Sequence, residues 1–219
     1  GARRTPICSR RSATSSGCVE MCAHFLRVAR VVLACVAWSG AMAWAQHDEV
    51  PFITTPDNIT IAMLEVAGVG KSDYVIDLGS GDGRIVITAA KRFGARGLGV
   101  ELVADLVRQS RESAAKAGVA ARAKFVEMDL FKADLSPATV ITMYLLPEVN
   151  LQLRPRLLCL KPGTRIVSHD WDMGDWKPEK MLTLPAPDKV IGLKKESKVY
   201  LWRVPGRAAG EACSTVPTP

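Results

Sequence analysis

Apolar residues fall along the chain in two rhythms. Short apolar runs recur at 73–78, 97–101, 123–128, 139–145 and 164–168, and read as strands. Between them lie longer stretches with helical spacing. Ile59, Met63, Val66 and Ala67 share one face of a helix predicted over 57–68, with Asp57 as a candidate N-cap and Gly68 as its stop. Further helices are predicted over about 83–93, from the second strand to about Ala117 before Gly118, and over about 147–160, where Lys161-Pro162-Gly163 breaks the pattern. Alternating strand and helix imply a mostly parallel sheet with helices on both faces. The last two apolar runs, 188–193 and 197–204, have no helix between them and predict a closing antiparallel hairpin. The Pro-, Gly- and Ala-rich tail 205–219 reads as disordered.

The amino end breaks with this pattern. Residues 1–20 are rich in Arg and Ser and read as disordered or as an upstream extension, with Met21 a candidate start. From Met21 a basic stretch leads into uncharged sequence from Val31 to Gln46, with Ala43-Trp44-Ala45 as a small-x-small site. Residues 21–45 therefore read as a secretory signal peptide or a membrane anchor, with an organelle-targeting or mistranslated extension as the third possibility. The corresponding expectation is an exported (periplasmic) or membrane-anchored protein, its domain spanning 51–204.

The formal charge of +7 changes meaning in this light. Residues 1–45 hold six Arg and one acid of the chain's 29 basic and 22 acidic residues, which leaves the rest at +2. A basic stripe for nucleic acid is not evident. There is no C-x-x-C pair, and His24, His47 and His169 are scattered, so no metal site is indicated. Cys159 reads as a core thiol within its helix.

The chemistry concentrates after the first strand. Val75-Ile76-Asp77-Leu78-Gly79-Ser80-Gly81-Asp82-Gly83 is an apolar run, an acid and a loop with glycine at every second position. Such a loop lets backbone come close to a nucleotide-like ligand at the end of a parallel strand. The dinucleotide fingerprint G-x-G-x-x-G fails, because its third glycine would fall on Arg84. A pyrophosphate also prefers a helix N-terminus without acids, and Asp77 and Asp82 flank this one. Those acids suit a ligand with an ammonium and a sulfonium. The second strand ends in Glu101, 24 positions after Asp77, where an acid can accept ribose hydroxyls. The third leads into Met128-Asp129-Leu130, where an acid can accept an adenine amino group.

Over about 51–204 the chain resembles the class I S-adenosylmethionine-dependent methyltransferases. The resemblance implies a Rossmann-like, mostly parallel α/β sheet with a C-terminal antiparallel hairpin, and S-adenosyl-L-methionine as cofactor. It implies that Asp77, Gly79, Ser80, Gly81 and Gly83 meet the methionine end, Glu101 the ribose, and Asp129 with Leu130 the adenine. A Gly-rich turn in another α/β protein would explain the loop alone, but not acids at the two following strand ends.

Methyl transfer from a sulfonium needs an aligned, neutral nucleophile, so positioning and desolvation carry most of the catalysis. Strand four ends in Met143-Tyr144-Leu145-Leu146-Pro147, which is not the N-P-P-Y or D-P-P-Y motif of amide and nucleobase enzymes. Tyr144 could orient an amine through its hydroxyl or ring face, or be a core aromatic with a polar tip. Strand five runs into Ser168-His169-Asp170-Trp171-Asp172-Met173-Gly174-Asp175-Trp176. Acids among aromatics suit a cationic amine; a solvated loop with two packing tryptophans is the plainer reading. His169 reads as a base or as a satisfied strand-end histidine. Tyr144, His169 and Asp170 are the candidate catalytic residues.

Three segments resemble one branch more closely: Pro51-Phe52-Ile53-Thr54-Thr55-Pro56, the Asp77–Gly83 loop, and Tyr144-Leu145-Leu146-Pro147 with Ser168-His169-Asp170. This branch holds mitochondrial-type protein-lysine methyltransferases of the adenine nucleotide translocase and the ATP synthase c-subunit, with small bacterial relatives. It implies a protein-lysine acceptor, a place for Thr55 and Pro56 flanking the cofactor or the substrate channel, with Thr55 counted among the cofactor-binding residues, and membrane association through 21–45. A small-molecule or RNA methyltransferase, and an exported binding module with the same fold but no turnover, stand as alternatives. An exported enzyme would lack its cytosolic cofactor.

Overall fold

The structure is a computed structural model that describes residues 53–190 and 194–206. The expected segments 1–20 and 21–45 and the tail from 207 lie outside the described residues. Helix α1 (Asp57–Val66) precedes β1 (Tyr74–Leu78), α2 (Arg84–Phe93), β2 (Arg96–Glu101), α3 (Ala104–Lys116) and β3 (Ala123–Glu127). Then follow β4 (Val140–Met143), α4 (Pro147–Leu158), β5 (Arg165–His169), β6 (Lys180–Pro185) and β7 (Glu196–Arg203). The sheet order is β3-β2-β1-β4-β5-β7-β6, with β7 antiparallel to both of its neighbours and the other pairs parallel.

Strands covered on both faces must be apolar at successive positions. In β1, Val75 faces a core with Ile59, Met63, Leu64, Ile85 and Val167, on the side of α1 and α2. Ile76 and Leu78 face the opposite core with Ile141, Met143, Leu153, Leu157, Ile166 and Trp202, under α4. A third cluster joins Val86 and Ala90 to Val107, Ala114 and Phe125. The order reverses at β1, whose neighbours β2 and β4 lead away in opposite directions. A crevice at such a reversal, outside the carboxyl ends of the strands, is where open α/β sheets bind ligands.

Three local expectations are corrected. The N-cap of α1 is Pro56, without a side-chain cap bond, and Asp57 is the first helical residue. The strand pairing with β7 is 180–185, not 188–193. β6 is an edge strand with most residues exposed, closed by Pro185, so it lacks an apolar run. Val190 lies 73% exposed beyond it. Cys159 stands just beyond α4 at its C-terminal cap, half-buried, rather than within the helix. Among the described residues no helix is long and apolar enough to cross a membrane.

Candidate active site

The loop after β1 turns three times through left-handed backbone, at Gly79 (φ 71°), Gly81 (φ 52°) and Gly83 (φ 80°). At Gly79 a Cβ would also stand 2.8 Å from Leu145 Cδ2. The loop is bound to the end of β2: the Gly79 and Ser80 amides donate to the Val100 carbonyl, and Ser110 Oγ donates to the Gly81 carbonyl.

Glu101 organises this edge. Its Oε2 accepts the Gly81 amide at 2.8 Å, and its Oε1 accepts the Leu102 and Val103 amides at 2.8 and 3.0 Å. A carboxylate offers about four acceptor positions. Three are taken by backbone, so roughly one remains for a ligand hydroxyl. Leu102 and Met128, which follow the ends of β2 and β3, are exposed apolar side chains, and the Met128 amide donates to the Glu101 carbonyl. They supply an uncovered apolar surface beside the carboxylates of Glu101 and Asp129. The pattern of residues gave Met128 and Leu102 no role. Asp129 Oδ1 accepts the Phe131 amide, and its outer oxygen is 3.9 Å from Lys132 Nζ. Leu130 packs against the core below.

Asp77 lies beneath the loop, fully buried, and accepts the Thr142 hydroxyl at 2.7 Å. Register places the pair side by side on β1 and β4. Burial pushes its carboxyl up to about 8; the Thr142 hydrogen bond opposes this, and the Asp82 and Glu101 charges add to it. Ser80 is buried too, its Oγ without a hydrogen-bond partner among the described residues.

Arg84, noted in the sequence only for not being glycine, joins the glycine loop to the segment before α1. Its guanidinium is bonded to Asp82 by Nε and Nη2, to the Thr55 carbonyl at 2.8 Å and to Asp57 at 3.3 Å. The segment before α1 is thereby clamped across the glycine loop. No single sequence signal marks this, because the partners lie 2, 27 and 29 positions away.

At the ends of β4 and β5 stand Tyr144, His169 and Asp170. His169 is fully buried; Nδ1 is 3.2 Å from Thr55 Oγ1 and Nε2 2.8 Å from Ser197 Oγ. Desolvation lowers its pKa to about 4, with Asp170 pulling it up and Lys189 pushing it down. Both ring nitrogens face hydroxyls inside the protein, the geometry of a satisfied strand-end histidine. Its ring supports Tyr144, centroids 3.9 Å apart. Tyr144 is half-buried, and its hydroxyl is 3.5 Å from Asp170 Oδ2. Burial first, and then Asp170, raise the phenol to about 12, so it remains a donor. Asp170 adopts φ 63°, rare without glycine, held because its amide and Oδ1 bond both backbone groups of Lys198. Its Oδ2 is 2.7 Å from Lys189 Nζ. Of the two tryptophans in this loop, Trp171 is exposed, while Trp176 packs on Trp202 and accepts its indole N–H. Among the described residues no cluster of His, Cys, Asp or Glu could hold a metal.

A glycine loop at the switch point of the sheet, with Asp77 beneath it and acids at the ends of the two following strands, β2 and β3, defines a class I S-adenosylmethionine-dependent methyltransferase. The residues fit the cofactor: Glu101 keeps an acceptor position free of backbone, and the apolar edge at Leu102 and Met128 suits a purine face. A family model described as the ANTKMT methyltransferase domain matches residues 77–180. The chain is 44% identical over 143 residues to a protein-lysine N-methyltransferase of Saccharolobus islandicus, covering 64% of this chain and 88% of that protein. It is 39% identical over 106 residues to the lysine N-methyltransferase of the ATP synthase c-subunit of Mus musculus, covering 48% of this chain and 42% of that one. Among solved structures it is similar to an RNA methyltransferase from Salinibacter ruber in complex with S-adenosyl-L-homocysteine, with TM-score 0.64 and 47% identity over 73% of this chain and 98% of that one. The chain belongs to this methyltransferase family.

These relatives overturn the expectation of an exported or membrane-anchored protein. One of them is named for its action on the ATP synthase, not as an exported protein. The reaction also consumes a cofactor that export would leave behind.

Proposed function

We propose that this enzyme N-methylates lysine side chains of proteins. The observation that carries the reading is Asp170 Oδ2, which faces the Tyr144 hydroxyl and already holds a lysine ammonium at 2.7 Å. Carboxylate and aromatic ring together suit a cationic alkylamine. The named acceptors of the Saccharolobus and mouse relatives support it.

When bound, S-adenosylmethionine supplies an electrophilic methyl group on a sulfonium. Asp77 sits where the ammonium of its methionine end would balance the carboxylate. Glu101 would offer its remaining acceptor position to the ribose, Asp129 and Leu130 would hold the adenine, and Thr55, held by Arg84, would stand beside the cofactor. Gly79, Ser80, Gly81 and Gly83 shape the floor. Asp170 draws in the acceptor ammonium and takes its proton as the site desolvates it. Tyr144 fixes the nitrogen's direction, and His169 acts through Tyr144 as a positioning residue.

An RNA acceptor is the second reading, favoured by the name of the Salinibacter structure. Against it, the acceptor edge carries Asp170, Asp172 and Asp175, which would repel phosphates. Labelled methyl transfer to protein, RNA and metabolite fractions tests the choice. Label in protein that resists nuclease, and that drops at least about tenfold in Asp170→Asn, is expected. Label confined to RNA would refute the lysine reading.

A further inference from the structure

Lys189 touches the acceptor carboxylate, yet the proposed reaction leaves it without a task. It lies in the connection between β6 and β7, far from the glycine loop in sequence. Lysine is almost never buried unless paired, yet the side chain of Lys189 is only 14% exposed. Its ammonium has two partners, Asp170 Oδ2 at 2.7 Å and the Glu196 carbonyl at 2.8 Å. Its own carbonyl accepts from Lys195 Nζ at 2.6 Å, which fixes the backbone behind it. Tyr144 shares the same carboxylate oxygen at 3.5 Å. The neighbouring Lys194, Lys195 and Lys198 are exposed. This chain thus places one of its own primary amines against the carboxylate and phenol assigned above to an incoming lysine.

We propose that Lys189 is itself a methyl acceptor of this enzyme, seated in the position that a substrate lysine must take over. The inference rests on the protein-lysine reading. Lys189 gives up a proton to Asp170, and its neutral nitrogen then bonds the methyl carbon. The carbon–sulfur bond breaks, and its electron pair returns to sulfur as the sulfonium becomes a thioether. Each added methyl removes a hydrogen-bond donor. The Glu196 contact weakens first, and the bulkier amine loosens from Asp170, which opens the seat to another lysine. Self-methylation would therefore relieve an internal competitor.

Two measurements on the full chain test this. Amine-reactive labelling without cofactor reads the seat: Lys189 should react about tenfold more slowly than Lys194 or Lys198, and Asp170→Asn should remove most of that protection. Peptide mass mapping after incubation with S-adenosylmethionine reads the modification. Methyl should accumulate at Lys189 ahead of the exposed lysines, at a rate per molecule independent of protein concentration, and should be absent in Lys189→Arg. Methyl on added proteins with Lys189 unmodified would overturn this inference alone. Self-methylation confined to Lys194, Lys195 or Lys198 would overturn it too, as would labelling of Lys189 at the exposed rate. No transfer to any protein, with RNA methylated, would sink the lysine reading beneath it.

Discussion

Replacing Glu101 by Gln asks the sharpest question of the cofactor side, because shape is kept and one acceptor oxygen becomes a donor. Three backbone amides converge on this side chain: Gly81 on one oxygen, Leu102 and Val103 on the other. The amide nitrogen of Gln must therefore face either Gly81 or the Leu102–Val103 pair, donor against donor. Facing Gly81 it frees a loop amide that is partly buried, at about 1–3 kcal/mol. Facing the pair, it opposes two amides instead of one, and in either orientation the negative charge at the start of α3 is lost, worth about 0.3–1 kcal/mol near a helix N-terminus. Stability should fall by about 1–2 kcal/mol on these grounds. Cofactor affinity should fall further, since the one remaining acceptor position would lose a charge-assisted bond of about 1.5–3 kcal/mol, or roughly tenfold to a hundredfold in Kd. Titration calorimetry with S-adenosylhomocysteine gives the second number, and urea unfolding with and without ligand gives the first. Glu101→Ala, which removes the charge without inserting a donor, should lose at least about tenfold in affinity. Affinity within about twofold of wild type in both variants would refute the ribose role and leave Glu101 as a fastener of the loop.

Other perturbations reach other parts of the site. Gly79→Ala forces a Cβ to 2.8 Å from Leu145 at φ 71° and should cost about 1–3 kcal/mol in urea unfolding, with cofactor binding impaired; wild-type stability would mean that the loop relaxes freely. Asp77, protonated up to about pH 8 without cofactor, should release a proton when the cofactor ammonium arrives. Calorimetry near pH 7 in buffers of different ionisation enthalpy should show that release, and buffer-independent heat would exclude it. His169 has a folded pKa of about 4 against an ordinary 6.5, so the unfolded chain binds the extra proton between those values. Its contribution is whole above pH 6.5 and is lost as pH falls towards 4, by roughly 3 kcal/mol at most. His169→Gln should flatten that slope, and an unchanged slope would locate the acid sensitivity elsewhere.

What the sequence made legible was whatever short-range pattern encodes. β1 is a run of apolar residues because both of its faces are covered, and the turns at Gly79, Gly81 and Gly83 need glycine, so strand and loop were both readable. β6 was not, because an edge strand exposes most of its side chains and its Lys-Met-Leu-Thr-Leu-Pro carries little apolar contrast. The more apolar stretch around Val190 drew the expectation instead. Thr55, His169 and Ser197 meet only through the tertiary fold, across 114 and 28 positions, so no spacing rule could show that His169 has both nitrogens satisfied. Arg84 was hidden for the same reason. Asp170 was legible as an acid at a strand end, but its left-handed backbone depends on its pairing with Lys198.

The antiparallel β7 has a consequence for how the chain is made. It is the last strand among the described elements to leave the ribosome, yet it lies inside the sheet, between β5 and β6, and brings Val199, Tyr200, Leu201 and Trp202 to the core. Until it emerges, β5 and β6 have no partner between them, and the apolar face that Trp202 covers stays open. The nascent protein thus passes through a stage with two bare strand edges, the condition in which chains stick to one another. A ribosome stalled before residue 196 would hold a species that chaperones must shield, and a premature stop there would yield no smaller enzyme.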